Sequence, residues 1–347
     1  MVALDYIGFL HQLGGYAFVT RQMVNALVDE YDVRVTSLDM KNGKTIPYQY
    51  VYNEYTSKEE SSERIQIFNC TPNFFRNVRR NPQAIALGVY ETLSPPQDWL
   101  DAYARFNSLA VISQFNYDLF VKDNRLAPKL FYLPVPLDFP ELIGKPDDKV
   151  FKFLWIGTWR ERKNYIGLIQ AFTEEFKDTN DVQLVLLTRD KQQAVKYIRG
   201  KSNVVVSEEK VMDEDMYSFI RKHHCVVLPT FGEGLGLVGI QSLASKVPLI
   251  TSNVTGCKDY ANRMNCTLID PEGMVQRREM DGIRQFNGRQ WANITVKGIR
   301  TALKGVYTDY QKAMGKTERG YQEVRQMYCK DAFLRSFQSC LSAMDVV

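Results

Sequence analysis

Leu228-Pro-Thr-Phe-Gly-Glu-Gly-Leu-Gly-Leu-Val-Gly-Ile-Gln-Ser-Leu-Ala-Ser-Lys-Val-Pro-Leu-Ile-Thr-Ser252 is the stretch that decides how the chain folds. The β-branched run Cys225–Pro229 predicts a strand ending at the proline. A loop with Gly232, Gly234 and Gly236 follows, then a helical pattern over Leu237–Ser245, then a second strand over Pro248–Thr251. Glycine lets a backbone approach a ligand closely. The start of the helix offers unpaired N–H groups and the positive end of a dipole, which suits a diphosphate. Gly234, Leu235 and Gly236 are therefore candidate binding residues. Glu233 stands out beside them, because a carboxylate repels phosphate. It is expected to face a hydroxyl-rich part of a ligand. A glycine-rich turn with a solvated glutamate is the competing explanation.

Upstream, Phe153-Leu-Trp-Ile-Gly-Thr-Trp-Arg-Glu-Arg-Lys-Asn-Tyr-Ile-Gly-Leu-Ile-Gln-Ala-Phe172 repeats the grammar of strand, loop and helix. The strand Phe151–Gly157 ends in a loop presenting Arg160, Arg162 and Lys163 ahead of a helix over Tyr165–Phe176. Ligands of open parallel sheets bind beyond the carboxyl ends of the strands. Arg carries a fork of donors and Lys a point charge, both fitted to phosphate oxygens. A solvated basic turn accounts for these charges equally well.

The rest of the chain alternates in the same way. Strands are expected at Val33–Leu38, Leu109–Ser113, Val182–Thr188 and Val204–Val206, and helices at Tyr16–Tyr31, Gln97–Phe106 and Asp213–Lys222. This alternation predicts parallel sheets covered by helices on both faces. The 347 residues suggest about two domains. Four prolines and Gly144 punctuate the stretch from Leu133 to Asp148, so the chain is expected to divide into residues 1–140 and 148–320. Tyr321–Met344 reads as one long terminal helix, returning to the first domain to complete it with residues 321–347.

Hydrophobic residues at 45% and charged residues at 24% exclude a disordered chain or a coiled-coil rod. No apolar run reaches the ~18–20 residues of a membrane span, and the N-terminus lacks the pattern of a secretory signal. The net charge of +4 neither demands nor excludes nucleic acid. Six cysteines without a C-x-x-C pair predict free thiols in a reducing, cytoplasmic setting, and three histidines leave little material for a metal centre.

Taken together, the two glycine and cation loops resemble the retaining glycosyltransferases of family four, which have the GT-B fold. The signature of that family is a Glu, a short Gly-Phe-Gly-type run and a second Glu eight positions on, ahead of a Gly-x-Pro-Val strand. Here Glu233-Gly-Leu-Gly is followed by Gln241 and by Lys246-Val-Pro-Leu-Ile. Gly157 with Arg162-Lys163-Asn164 is similar to the family's donor-diphosphate loop, and Gly14-Gly15-Tyr16 to its N-terminal glycine loop. Tyr90-Glu91-Thr-Leu-Ser-Pro-Pro-Gln-Asp-Trp99, followed by Ala110-Val-Ile-Ser113, is similar to a subgroup with a Glu and a Trp before that strand. The resemblance runs from about residue 12 to about residue 262.

It implies two facing Rossmann-like doubly wound domains with a cleft between them. The C-terminal domain would hold a nucleotide diphosphate sugar as co-substrate, with no cofactor and no metal. The N-terminal domain would hold the acceptor, a glycan or a lipid-linked molecule. Glu233, Arg162, Lys163 and Glu91 are the expected catalytic set. Gly14, Gly15, Gly157, Arg160, Gly234, Leu235, Gly236 and Gln241 are the expected donor contacts. Gln241 replaces the second Glu, keeping a carbonyl acceptor for ribose hydroxyls but losing the charge. Many members carry a His near the reacting sugar, whereas no histidine lies between His11 and His223. Glu91 then falls in that neighbourhood, unless it serves only as a turn residue before Pro95-Pro96.

Weaker signals leave two other readings open. Arg76, Arg79 and Arg80 lie among aromatics and could hold an acceptor such as a modified DNA base, or form a solvated basic turn. Gln241 and the missing histidine also fit a catalytically silent nucleotide-sugar-binding subunit. Asp213-Glu-Asp215 matches an Asp-x-Asp metal motif, but its place at a helix start favours capping. His223-His224 reads as a helix-end pair. A peripheral contact with a membrane and the oligomeric state are left open by the sequence.

Overall fold

The computed structural model describes residues 2–39, 52–77, 79–144, 146 and 149–344. Lys145, Asp147 and Asp148 of the proline-rich stretch therefore lie outside the described residues. The chain forms two units. One comprises Met1–Tyr90, Pro95–Asp138 and Gln326–Val347; the other comprises Glu91–Ser94 and Phe139–Arg325. The short segment Glu91–Ser94, read from sequence with the first half, thus belongs with the second unit.

In the first unit the strands are β1 (Ala3–Gly8), β2 (Asp32–Ser37), β3 (Ile65–Asn69), β4 (Ala84–Gly88), β5 (Ser108–Val111) and β6 (Leu130–Tyr132). They form one parallel sheet in the order β2-β1-β3-β4-β5-β6. Strands β3, β4 and β5 are buried along their whole length. Helices covering both faces of a parallel sheet produce this pattern. The helix Gly15–Leu27 buries Val19, Met23, Val24 and Leu27. Gly8 ends β1 where that helix comes nearest: a Cβ there would lie 2.7 Å from Thr20 Oγ1.

The last part of the chain completes this unit. The expected single helix over Tyr321–Met344 is two helices, Thr317–Tyr328 and Lys330–Ser342. Cys329 between them is extended at φ −74° and ψ 159°, a local break that hydrophobic periodicity does not report. The second helix buries Phe333, Phe337, Cys340 and Leu341, with Phe337 edge-on to Tyr31 at 5.4 Å.

In the second unit β7 (Phe151–Ile156), β8 (Val182–Leu187), β9 (Val204–Val206), β10 (Cys225–Leu228), β11 (Leu249–Ser252) and β12 (Thr267–Ile269) form another parallel sheet, ordered β12-β11-β10-β7-β8-β9. An antiparallel hairpin follows, β13 (Met274–Arg277) with β14 (Arg289–Ala292). After the hairpin the chain becomes helical at Val296–Thr308.

The topology marks one reversal point in each sheet. In a doubly wound sheet the crevice lies beyond the carboxyl ends of the two strands at which the strand order reverses. In the second sheet these are the adjacent strands β7 and β10, whose loops carry the two motifs. In the first sheet they are β1 and β3, which lead into Gly14-Gly15 and into the turn Pro72–Asn77 that holds Arg76.

His223 lies just past the helix Met216–Arg221 and is buried, with Nδ1 2.9 Å from the Phe219 carbonyl. Burial pushes its imidazole down to about 4, outweighing that carbonyl. The unfolded chain takes up this proton near pH 6.5, whereas the native chain does so only near 4. Stability is therefore full above pH 6.5 and falls as pH drops towards 4, by up to ~1.4 kcal/mol per pH unit. Thermal unfolding across that range measures this, and His223→Asn should flatten the dependence.

Candidate active site

The loop after β7 makes a single 3-10 turn at Glu161–Lys163. It closes with Asn164 in the left-handed region at φ 52°, a conformation that Asn tolerates better than most residues. The Asn164 amide donates to the Pro229 carbonyl at 3.0 Å. Phe231 N–H and the Thr230 hydroxyl both donate to the Arg162 carbonyl, at 2.8 and 2.9 Å. These bonds lock the loops after β7 and β10 together through their main chains.

The side chains converge accordingly. Arg162 Nη1 donates to Glu233 Oε2 at 3.0 Å and lies 3.3 Å from the Gly232 carbonyl. Its Nη2 lies 3.5 Å from Glu91 Oε1 and its Nε 3.2 Å from Asp281 Oδ2. Lys163 Nζ donates to Glu233 Oε1 at 2.6 Å. Three carboxylates thus surround two cations, all largely shielded from solvent. Glu233 is neither solvated nor free, so the solvated-turn alternative does not hold.

The same guanidinium treats the two glutamates differently. Burial pushes the Glu233 carboxyl up, but Lys163 and Arg162 outweigh it and hold the group below the ordinary range. Glu91 is also pushed up by burial; Arg162 opposes this, Glu233 adds to it, and the group ends above the ordinary range. Arg162 itself is raised: burial works against its charge, but Glu233, Glu91 and Asp281 prevail.

The Glu233 loop is braced from the far side. Glu233 N–H donates to the Thr255 hydroxyl at 2.8 Å, and Gly256 N–H to the Glu233 carbonyl at 3.0 Å. Gly236, at φ 86°, turns the chain into the helix Leu237–Ala244 and caps it without a side-chain bond. Gly239 N–H turns back to the Gly236 carbonyl at 2.9 Å, so the N–H groups of Leu237 and Val238 ahead of it are the ones a helix start leaves open. The Tyr260 hydroxyl donates to the Gly236 carbonyl at 2.9 Å. A Cβ on Gly239 would lie 2.1 Å from that hydroxyl oxygen. Gln241 is buried on the same helix, and its side-chain amide makes no hydrogen bond among the described residues.

Gly157 and Arg160 lie in the same loop as Arg162 and Lys163. Gly157 follows β7, its N–H donating to the Leu187 carbonyl at 3.1 Å. Arg160 is exposed and donates to the Asp281 carbonyl at 3.0 Å rather than joining Glu233. Gly14 and Gly15 belong to the first unit, where Gly14, at φ 148°, starts the helix Gly15–Leu27. Arg21 fixes the preceding loop, donating to the carbonyls of Leu10 and Gln12 at 2.5 and 2.8 Å. Asp39 accepts from Leu10 N–H at 2.7 Å and His11 N–H at 2.8 Å. Arg76, Arg79 and Arg80 are exposed in the same unit; Arg80 donates to the Arg105 carbonyl and lies over the Phe106 ring. Asp213-Glu-Asp215 immediately precedes the helix Met216–Arg221.

Sequence reasoning missed Asp281, Thr255 and Trp291. Asp281-Gly282 is legible as a turn, but its contact with a loop 119 residues away is not. Trp291 of β14 packs where a Cβ on Gly232 would lie 3.0 Å from its ring. The guanidinium of Arg277 in β13 sits 4.2 Å above the Phe231 ring.

This pair of Rossmann-like domains is the GT-B fold. Residues 150–278 match the family model described as "Glycosyl transferases group 1". No curated protein matches the sequence. Among solved structures, HepE of Anabaena in complex with UDP-glucose is 13% identical with a TM-score of 0.73, the match covering 99% of this chain and 100% of that one. Sucrose-phosphate synthase of Thermosynechococcus elongatus is 14% identical with a TM-score of 0.71, covering 100% of both. A TarM variant of S. aureus in complex with fondaparinux, α-GlcNAc-glycerol and UDP is 14% identical with a TM-score of 0.64. That match covers 84% of this chain but only 57% of TarM, so the chain spans little more than half of TarM's length. No helix among the described residues is long and apolar enough to cross a membrane.

Proposed function

We propose that this protein is a retaining glycosyltransferase that moves a sugar from a nucleoside diphosphate sugar to an acceptor hydroxyl on a glycan or lipid-linked molecule. The observation that carries the reading is the joining of the two loops at the reversal point of the second sheet. Arg162, Lys163 and Glu233 meet there beside the open start of the helix Leu237–Ala244. Cations and helix amides at one place suit a diphosphate. The UDP bound in the HepE and TarM structures makes uridine diphosphate sugars the first donors to try.

As the bond from the anomeric carbon to the diphosphate breaks, negative charge grows on the departing oxygen. Arg162, Lys163 and the amides following Gly236 stabilise that charge without a metal ion. Glu233, kept ionised by its two cations, accepts from hydroxyls of the donor sugar and orients it. Gln241 offers its side-chain amide to the ribose, and Gly157 is a proposed donor contact. Gly14 and Gly15 are the proposed contacts of the first unit with the donor. Glu91, held above the ordinary range by burial, takes up a proton more readily than Glu233, and it is assigned a place near the reacting sugar. The exposed Arg76, Arg79 and Arg80 are assigned to an acceptor bearing phosphate.

The test is to incubate the purified protein with uridine, guanosine and adenosine diphosphate sugars and an acceptor panel, reading the product's anomeric configuration by NMR. The expected result is transfer with retention, lost in the Arg162→Met, Lys163→Met double variant. Inverted product would overturn the stereochemical reading. Nucleotide binding without turnover would point instead to a silent nucleotide-sugar-binding subunit. An acceptor affinity that falls steeply with salt would favour a nucleic-acid acceptor.

A further inference from the structure

We propose that the hairpin β13–β14 and the turn it carries are a clamp on the donor loop, with Asp281 as the positioning residue for Arg162. The matched family region ends at residue 278, before Asp281, Trp291 and most of the hairpin. The hairpin nevertheless reaches both donor loops. Asp281 Oδ1 accepts from Arg162 N–H at 3.1 Å and Oδ2 faces Arg162 Nε at 3.2 Å. The Asp281 carbonyl accepts from Arg160 at 3.0 Å. On the other loop, Ala292 N–H donates to the Phe231 carbonyl at 3.3 Å, and Trp291 backs Gly232. Thr92, next to Glu91, donates to the Gln290 carbonyl, so one hairpin touches the supports of Arg162, Glu233 and Glu91 alike.

Two features make Asp281 more than a turn residue. Its carboxylate is 1% exposed, and burying a charge this deeply is unfavourable unless it is paired. Its main chain sits in the left-handed region at φ 58°, followed by Gly282 at φ 67°, a conformation that carries a local conformational cost in a non-glycine residue. Three carboxylates draw on one guanidinium. Nη1 hydrogen-bonds Glu233, while Glu91 lies 3.5 Å from Nη2 and Asp281 Oδ2 lies 3.2 Å from Nε as ion pairs, with no hydrogen bond between Nε and Oδ2. Removing the Asp281 charge leaves the guanidinium drawn towards the other two. It also removes a negative charge from the place where a diphosphate would bind.

This assignment rests on the proposed transferase reading, and the experiment separates the two. Asp281→Asn keeps the side chain's shape and one acceptor oxygen, while Asp281→Glu keeps the charge. Crystal structures of the wild type and Asp281→Asn report the guanidinium directly, whatever the substrate. The expected result is that Arg162 leaves its position between Glu233 and Glu91. Kinetics then read the function: kcat is expected to fall tenfold or more, KM and UDP affinity to hold or tighten, and Asp281→Glu to recover part of kcat. An unmoved guanidinium, or an unchanged kcat in an active enzyme, would overturn the positioning role. Loss of UDP binding together with a collapsed melting temperature would also overturn it, marking Asp281 as a scaffold residue only. A wild type that turns over no nucleotide sugar would defeat the transferase reading and leave the structural comparison to decide the clamp.

Discussion

Replacing Arg162 with methionine is expected to remove measurable sugar transfer and to lower stability by about 3–5 kcal/mol. The side chain's apolar length is roughly kept, so the loss is electrostatic. Without the guanidinium, Asp281 has no counter-charge in contact, Glu91 loses its nearest cation, and Glu233 retains only Lys163. Breaking a buried ion cluster by removing one sign leaves uncompensated charge, which costs more than the intact cluster contributes. The activity loss has a second origin, because one preorganised donor to a developing anion is worth ~3 kcal/mol, or about two orders of magnitude in rate. Denaturant titration and single-turnover kinetics measure the two effects separately. Lys163→Met should cost less stability, because Glu233 keeps Arg162. Equal stability losses in the two variants would contradict the shared role given to Arg162.

The second large effect is expected at Gly256. A Cβ there would lie 2.3 Å from the Gly234 carbonyl oxygen and 2.7 Å from Leu235 Cα, and main-chain atoms cannot swing aside as a side chain can. Gly256→Ala therefore pushes the Glu233 loop away from Thr255, its brace. Overpacking of this kind costs about 1–3 kcal/mol. A displacement of ~1 Å at a reacting centre costs about a hundredfold in rate, so activity should fall far more than stability. Gly305→Ala is the matched control: it sits within the helix Val296–Thr308, nothing lies within 4 Å of its added Cβ, and it should be stabilising by about 0.5–1 kcal/mol with activity intact. A Gly256→Ala enzyme with full kcat would show that the loop position does not matter to the chemistry.

What could be read from the sequence followed from local grammar. Strand, glycine turn and helix recur at Cys225–Ser245 and at Phe151–Phe176, and each phase has its own physical mark, so both donor loops were visible in advance. β1, β3 and β4 were not: β4 is a short apolar run that periodicity cannot separate from part of a helix, and in β1 and β3 the buried polar residues Asp5, Gln66 and Asn69 interrupt the apolar pattern. The break at Cys329 is a matter of two dihedral angles. Glu91 was singled out by resemblance, while its partner Arg162 lies 71 residues further along the chain, and pairing at that range is written in the topology. Asp281 had only a turn signature, and its two contacts with Arg162 exist because the hairpin folds back onto the loop after β7.

The most direct test of the account is the structure of the protein with a nucleoside diphosphate sugar bound. The predicted result places both phosphates between the Arg162–Lys163 pair and the amides that follow Gly236, with Glu233 turned to the sugar hydroxyls. A diphosphate bound away from these two loops, with both cations still held by Glu233, would contradict it.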